Sequence, residues 1–124
     1  MLNYSKPTPS QKYLQENYEY DPSSKVFPLK RRFDAPRGPV KKGFRIGSIK
    51  LQEHRGNYLQ VQAKINYTPY TLSRLIWKYH YGVEPKGVID HINGDSTDNR
   101  IENLQDITHQ QNLNKKPGEI INAA

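Results

Sequence analysis

Residues 87–112 read GVIDHINGDSTDNRIENLQDITHQQN, and the order of elements in this stretch decides the fold. Val88 and Ile89 make a brief apolar strand. Asn93-Gly94 follows as a tight-turn dipeptide, since both residues tolerate positive φ at little cost. The run 95–104 predicts a loop with a single helical turn that points Ile101 and Leu104 inward. Ile107 then lies on a second short strand. Thr108, with Gln111 three residues on, matches a capping box that opens a helix reaching Asn114. Pro117-Gly118 ends it. The segment therefore reads strand, loop, strand, helix.

Upstream of this stretch, Leu72, Leu75, Ile76 and Tyr79 stand at i, i+3, i+4 and i+7, one face of an amphipathic helix that Gly82 stops. Trp77 is expected to pack partly on a sheet. That sheet comes from two strands, 45–51 and 58–65, joined at Arg55-Gly56-Asn57. The alternation of Tyr58, Gln60 and Gln62 against Leu59, Val61, Ala63 and Ile65 predicts a half-buried second strand. A turn at Asp21-Pro22 leads into a short strand around Val26 to Leu29, and residues 32–43 read as a loop. Residues 1–24 are polar, Tyr-rich and punctuated by Pro, which predicts an extended arm. The fold class is α+β, in four parts: the arm (1–24), a basic β-rich portion (25–66), a core that carries the quoted segment (67–116) and a tail (117–124).

Only 34% of the 124 residues are hydrophobic, so the core must be small. Without cysteine there are neither disulfides nor thiolate metal sites. The start of the chain lacks the apolar region of a secretory signal, and no run is apolar enough to span a membrane. A cytoplasmic protein is expected, which makes the sequon Asn66-Tyr67-Thr68 irrelevant. Net charge is +7, concentrated between Lys25 and Lys50, where nine basic residues face the single acid Asp34. Charge runs are ordinarily solvated faces. Here Phe33, Phe44 and several Gly and Pro residues interleave with the cations, as on a structured surface for a polyanion.

The Asp90-His91 pair offers chemistry suited to such a partner. Cutting a phosphodiester needs a base to take a proton from water and a cation for the charge that develops on phosphorus and on the departing oxygen. Histidine titrates near neutrality and suits the first task. A carboxylate and a carboxamide oxygen are hard ligands that suit Mg²⁺ or Mn²⁺ in the second. His91, Asp90 and Asn112 supply those groups. As neighbours, Asp90 and His91 point to opposite faces of a regular strand, so they serve one phosphate only at a strand end. Asn103 is placed to hydrogen-bond the backbone around His91 and fix the loop.

With these spacings the chain resembles the HNH homing-type endonucleases that occur free-standing or in introns of bacteriophages. An Asp-His pair is followed twelve residues after His91 by Asn103, and nine residues later by Asn112. "RLIW", "YG", "IDHINGD", "DNR" and "ENL" stand in family order from Arg74 onward, and a weaker similarity begins at Tyr20. The resemblance implies a ββα-metal finger that hydrolyses double-stranded DNA and leaves 3′-hydroxyl and 5′-phosphate ends. It implies that His91 is the general base, that Asn103 orients it, and that Asp90 and Asn112 hold one Mg²⁺ or Mn²⁺. No other cofactor is expected, and the chain acts as a monomer or homodimer. Candidate DNA-backbone contacts are Lys30, Arg31, Arg32, Lys41, Lys42 and Arg45. Arg74 and Arg100, nearer the centre in sequence, either touch the scissile phosphate or pair with an acid.

Blander readings compete. Asp-His alone carries no weight, and a calcium loop fails because Ile92 stands where a ligand is required. A module of the same fold that binds DNA without cutting is the main alternative. Relatives commonly carry His where this chain has Ser73, which puts in doubt any contact made from that position. His80, near a helix end, is expected to be structural. His109 is left without a role.

Overall fold

The computed structural model describes residues 6–53 and 56–121. In chain order the elements are α1 (Gln11–Asn17), β1 (Tyr18–Tyr20), β2 (Leu29–Arg31), β3 (Ser48–Gln52), β4 (Tyr58–Ile65), β5 (Thr68–Thr71), α2 (Leu72–Tyr81), β6 (Val88–His91), β7 (Leu104–Ile107) and α3 (His109–Asn114). The strands pair antiparallel in three small sheets, β1–β2, β3–β4–β5 and β6–β7, so the chain is α+β. Among the described residues no helix is long and apolar enough to cross a membrane.

The stretch expected to be an extended arm is structured from residue 11 to residue 20. Ser10 caps α1 by accepting from the Tyr13 N–H, and Leu14 is fully buried. Gln11 and Gln15 donate from Nε2 to the Tyr79 carbonyl at the end of α2, at 3.1 and 2.8 Å. Seven residues are too few to hold a helix in water, so docking on α2 stabilises α1 more than its own propensity does. With only Leu14 and scattered tyrosines to mark its apolar face, α1 leaves little periodicity to read. Residues 1–5 lie outside the described residues.

Two strand boundaries also differ from expectation. The strand expected from Val26 begins at Leu29. Pro28 has no N–H to give a ladder, and its carbonyl instead accepts from Asp21 N at 2.6 Å. The strand expected from Arg45 begins at Ser48, because Gly47 takes φ 113°, and a Cβ there would lie 3.3 Å from both Gln62 O and the Phe27 ring. Arg45 forms only an isolated bridge with Lys30. Of the expected turn Arg55-Gly56-Asn57, Arg55 lies outside the described residues. β5 was not legible at all. It follows a two-residue turn at Asn66 and Tyr67, with φ 51° and 67° and the register Ile65↔Thr68.

One cluster unites these pieces. Leu14, Leu29, Val61, Ala63, Ile65, Leu72, Leu75, Ile76 and Leu104 all belong to it. The inward side of β4 is Val61, Ala63 and Ile65, as the alternation predicts, while Leu59 remains exposed near the hairpin tip. On α2, Leu72, Leu75 and Ile76 are fully buried, Tyr79 and Trp77 pack beside them, and Gly82 closes the helix at φ 76°. Leu104 ties β7 to the same cluster, which seats the β6–β7 ribbon against α2.

Candidate functional site

In the β6–β7 ribbon the register is Val88↔Ile107, Ile89↔Asp106, Asp90↔Gln105 and His91↔Leu104. Alternation puts Asp90 with Gln105 on one face and His91 with Leu104 on the other. His91 is the last residue of β6, where the chain turns: Gly94, at φ 80°, donates to the His91 carbonyl at 2.8 Å. Beyond β7 the capping box forms as expected, with Thr108 and Gln111 bonding each other's backbone at 2.9 and 3.1 Å.

The loop between the strands is a buried polar network. Asn103, 6% exposed, accepts the Asn93 N–H at 3.0 Å and donates to Asn93 Oδ1 and to the Asp98 carbonyl. Its own carbonyl accepts from Ile92 N at 2.7 Å. Asn103 thus fixes the chain on either side of the turn, as the sequence suggested. It is not the partner of the His91 ring, however. His91 Nε2 lies 2.9 Å from Oδ1 of Asn99, a residue 1% exposed whose Nδ2 faces the Val26 carbonyl. The sequence marks Asn99 only as part of the "DNR" string, which assigns it no role.

Asp98 anchors the same loop. Arg100 grips its carboxylate with two bonds of 2.7 and 2.8 Å, and Asn93 adds a third at 2.9 Å. The Arg100 hydrogen bonds lower the Asp98 pKa to about 2, against the opposing effect of burial. Arg100 is therefore paired with acids, Asp98 and, at 3.8 Å, Glu102.

Asp90 sits on the opposite face of the ribbon from His91. Its Oδ2 accepts from Gln105 at 2.9 Å and lies 3.3 Å from the Lys115 ammonium. Lys115, whose side chain is 4% exposed, also donates to the carbonyls of Ile92 and Lys116, so each ammonium proton has an acceptor. Because Lys115 directly follows α3, the end of that helix lies over the Asp90 face. Asp90 and Asn112 offer hard oxygens of the kind Mg²⁺ prefers. Both the hydrogen-bond and the ion-pair partner of Asp90 engage Oδ2. Among the described residues no group of three or more His, Asp or Glu side chains that could hold a metal ion gathers. Lys115 is a neighbouring cation that no motif in the sequence marks.

His91 and Asn112 line one cavity of about 700 Å³, together with Tyr58, Gln60, Ser73 and Arg74. Asp90 is not part of that lining. Arg74 faces the cavity while paired with Glu84 at 3.1 Å. Ser73 is buried beside it. The basic stripe does not reach the cavity lining. Lys30 and Arg31 lie on β2, and Lys41, Lys42 and Arg45 follow in the segment that folds back on that strand through Arg31 N–Phe44 O and Gly43 N–Arg31 O. Three of its arginines are engaged locally, the first of them Arg31, whose Nε donates to the Phe33 carbonyl at 3.2 Å. Arg32 Nε donates to the carbonyls of Gln15 and Tyr18, and Arg45 stacks 4.0 Å above the Phe27 ring. Lys41 and Lys42 are exposed, with Lys41 3.7 Å from Asp34. His80 is structural, with Nδ1 2.9 Å from the Ile76 carbonyl and an edge contact to Tyr20, and His109 is exposed at the start of α3.

Residues 70–114, from β5 to the end of α3, match a family model described as HNH endonuclease. The match supports a nuclease acting on DNA. No curated protein and no solved structure matches the chain.

Proposed function

With the HNH match as premise, we propose that the chain is a metal-dependent endonuclease of the free-standing homing type of bacteriophages, acting on double-stranded DNA in the host cytoplasm. The single observation that carries this reading is the placement of His91 at a strand end, its ring tethered by Asn99, in a cavity shared with Asn112 and Arg74. His91 takes a proton from the attacking water, the water oxygen bonds to phosphorus, and the bond from phosphorus to the 3′ oxygen breaks. The departing oxygen acquires a proton from solvent, leaving 3′-hydroxyl and 5′-phosphate ends. Asp90 and Asn112 would hold one Mg²⁺ or Mn²⁺, which when bound supplies positive charge for the transition state and the leaving oxygen. Asp98, Asn103 and Arg100 act only by fixing the loop.

DNA would reach the cavity along a surface suited to it. Ser48, Lys50 and Gln52 of β3 and Tyr58, Gln60 and Gln62 of β4 share the face of the sheet opposite the core, and that face bears no carboxylate. Tyr58 and Gln60 continue it into the cavity. Lys41 and Lys42 contribute phosphate attraction, which positions a duplex without reading it. With one centre per chain, a monomer nicks and a homodimer cuts both strands.

The test is a supercoiled plasmid incubated with the protein in Mg²⁺, in Mn²⁺ and in EDTA. Nicking in either metal and none in EDTA is expected. Binding without cutting in both metals would establish the alternative, a module of this fold that has lost catalysis.

A further inference from the structure

We infer that Asn99 is the positioning residue of the general base, and that it fixes which nitrogen of His91 takes the proton, an inference that rests on the nuclease reading above. The orientation of the Asn99 amide follows from its surroundings. The group 3.3 Å from the Asn99 amide nitrogen is the Val26 carbonyl, which only accepts hydrogen bonds. Nδ2 must therefore face Val26, and Oδ1 faces His91 Nε2 at 2.9 Å. A carboxamide oxygen also only accepts. The proton of the neutral ring thus lies on Nε2, and the lone pair lies on Nδ1. Nδ1 is the atom left to abstract a proton from water.

Asn99 cannot swing away to release the ring. It is 1% exposed, its backbone N–H donates to the Lys25 carbonyl at 2.7 Å, and Arg100 beside it is locked on Asp98. The backbone of residues 25 and 26, from the segment ahead of β2, therefore holds the base through one side chain. A portion of the chain that lies outside the stretch matching the HNH model thereby helps to set the catalytic geometry.

The experiment is a long-range ¹⁵N–¹H correlation spectrum of the full chain at about pH 8, where an ordinary histidine is neutral. The His91 signals are assigned by comparison with His91→Ala. Single-turnover cleavage and DNA affinity are measured on the same proteins. Wild type should show His91 protonated on Nε2. Asn99→Leu, similar in volume but without an acceptor, should show a mixture of tautomers and cleave about 10- to 100-fold more slowly, with DNA affinity nearly unchanged. Asn99→Asp keeps an acceptor and should keep the Nε2–H form. A wild-type ring protonated on Nδ1 overturns the inference, as does Asn99→Leu with an unchanged tautomer and rate. If Asn99→Leu does not fold, loss of the Nε2–H form in Asn99→Asp overturns it equally. A wild type that shows the Nε2–H form but cuts no DNA in either metal removes the nuclease reading and the base role with it, while the tether of ring to amide stands.

Discussion

Asp98 is the residue on which the site loop depends most. It is fully buried, and its charge is met by two bonds from Arg100 and one from Asn93. Its folded pKa lies below the ordinary value of 3.8, at about 2. A depressed folded pKa means that the ionised carboxylate favours the folded state. That contribution is fully present above pH 3.8 and is lost as pH falls through about 2. Asp98→Asn should destabilise the protein at neutral pH by about 2–3 kcal/mol, since it leaves the guanidinium incompletely paired. It should also flatten the dependence of stability on pH between those two values. Urea unfolding of both proteins at several pH values checks the two effects. Equal stability at pH 7 would show that Arg100 and Asn93 find other partners at no cost.

At the scale of elements, the clearest strain is in the β4–β5 turn. Asn66 and Tyr67 both adopt positive φ, the conformation of a type I′ hairpin turn, and Tyr67 is 98% exposed. Asn tolerates that conformation, whereas a bulky L-residue does not. Tyr67→Gly creates the favoured Asn-Gly pair and removes no contact of consequence. Stability should rise by about 0.5–1 kcal/mol after allowing for the greater freedom of glycine when unfolded. The urea midpoint should move upward with the slope unchanged, and a lowered midpoint would refute the strain. This turn also shows what the sequence hides. Asn93-Gly94, the capping box at Thr108 and the stripe on α2 were legible because local chemistry fixes each of them. β5 was not legible because its turn uses Tyr where the signal is Gly. α1 was not legible because docking on α2, a contact distant in sequence, holds it. In the site, His91, Asn103 and Asn112 could be read as candidates from spacing. Asn99 and Lys115 could not, since their importance comes from the Val26 carbonyl and from Asp90, which only folding brings near.

For the whole molecule, the basic segment reads as a stripe in sequence but divides into two classes when folded. Arg32 and Arg45 are spent on internal carbonyls and a ring, whereas Lys41 and Lys42 are exposed. The exposed lysines should account for the response of DNA binding to salt, because each phosphate neutralised releases counterions. Lys41→Gln with Lys42→Gln should reduce the slope of log affinity against log salt by about 2 on B-form DNA. An unchanged slope would remove this segment from the DNA interface and leave the β3–β4 face to carry it. The core cluster running from Leu14 to Leu104 means that the β-rich portion and the site fold together. Truncations before β2 therefore disturb the base as well as the surface.

On the proposed reading His91 takes the proton from the water that attacks the scissile phosphate, while the fold and the DNA surface are independent of it. Single-turnover cleavage in saturating Mg²⁺, comparing wild type with His91→Ala on one duplex, is the decisive measurement. A fall of about 10²- to 10⁴-fold in rate, with DNA affinity unchanged, is predicted. Cleavage by His91→Ala at the wild-type rate would contradict it.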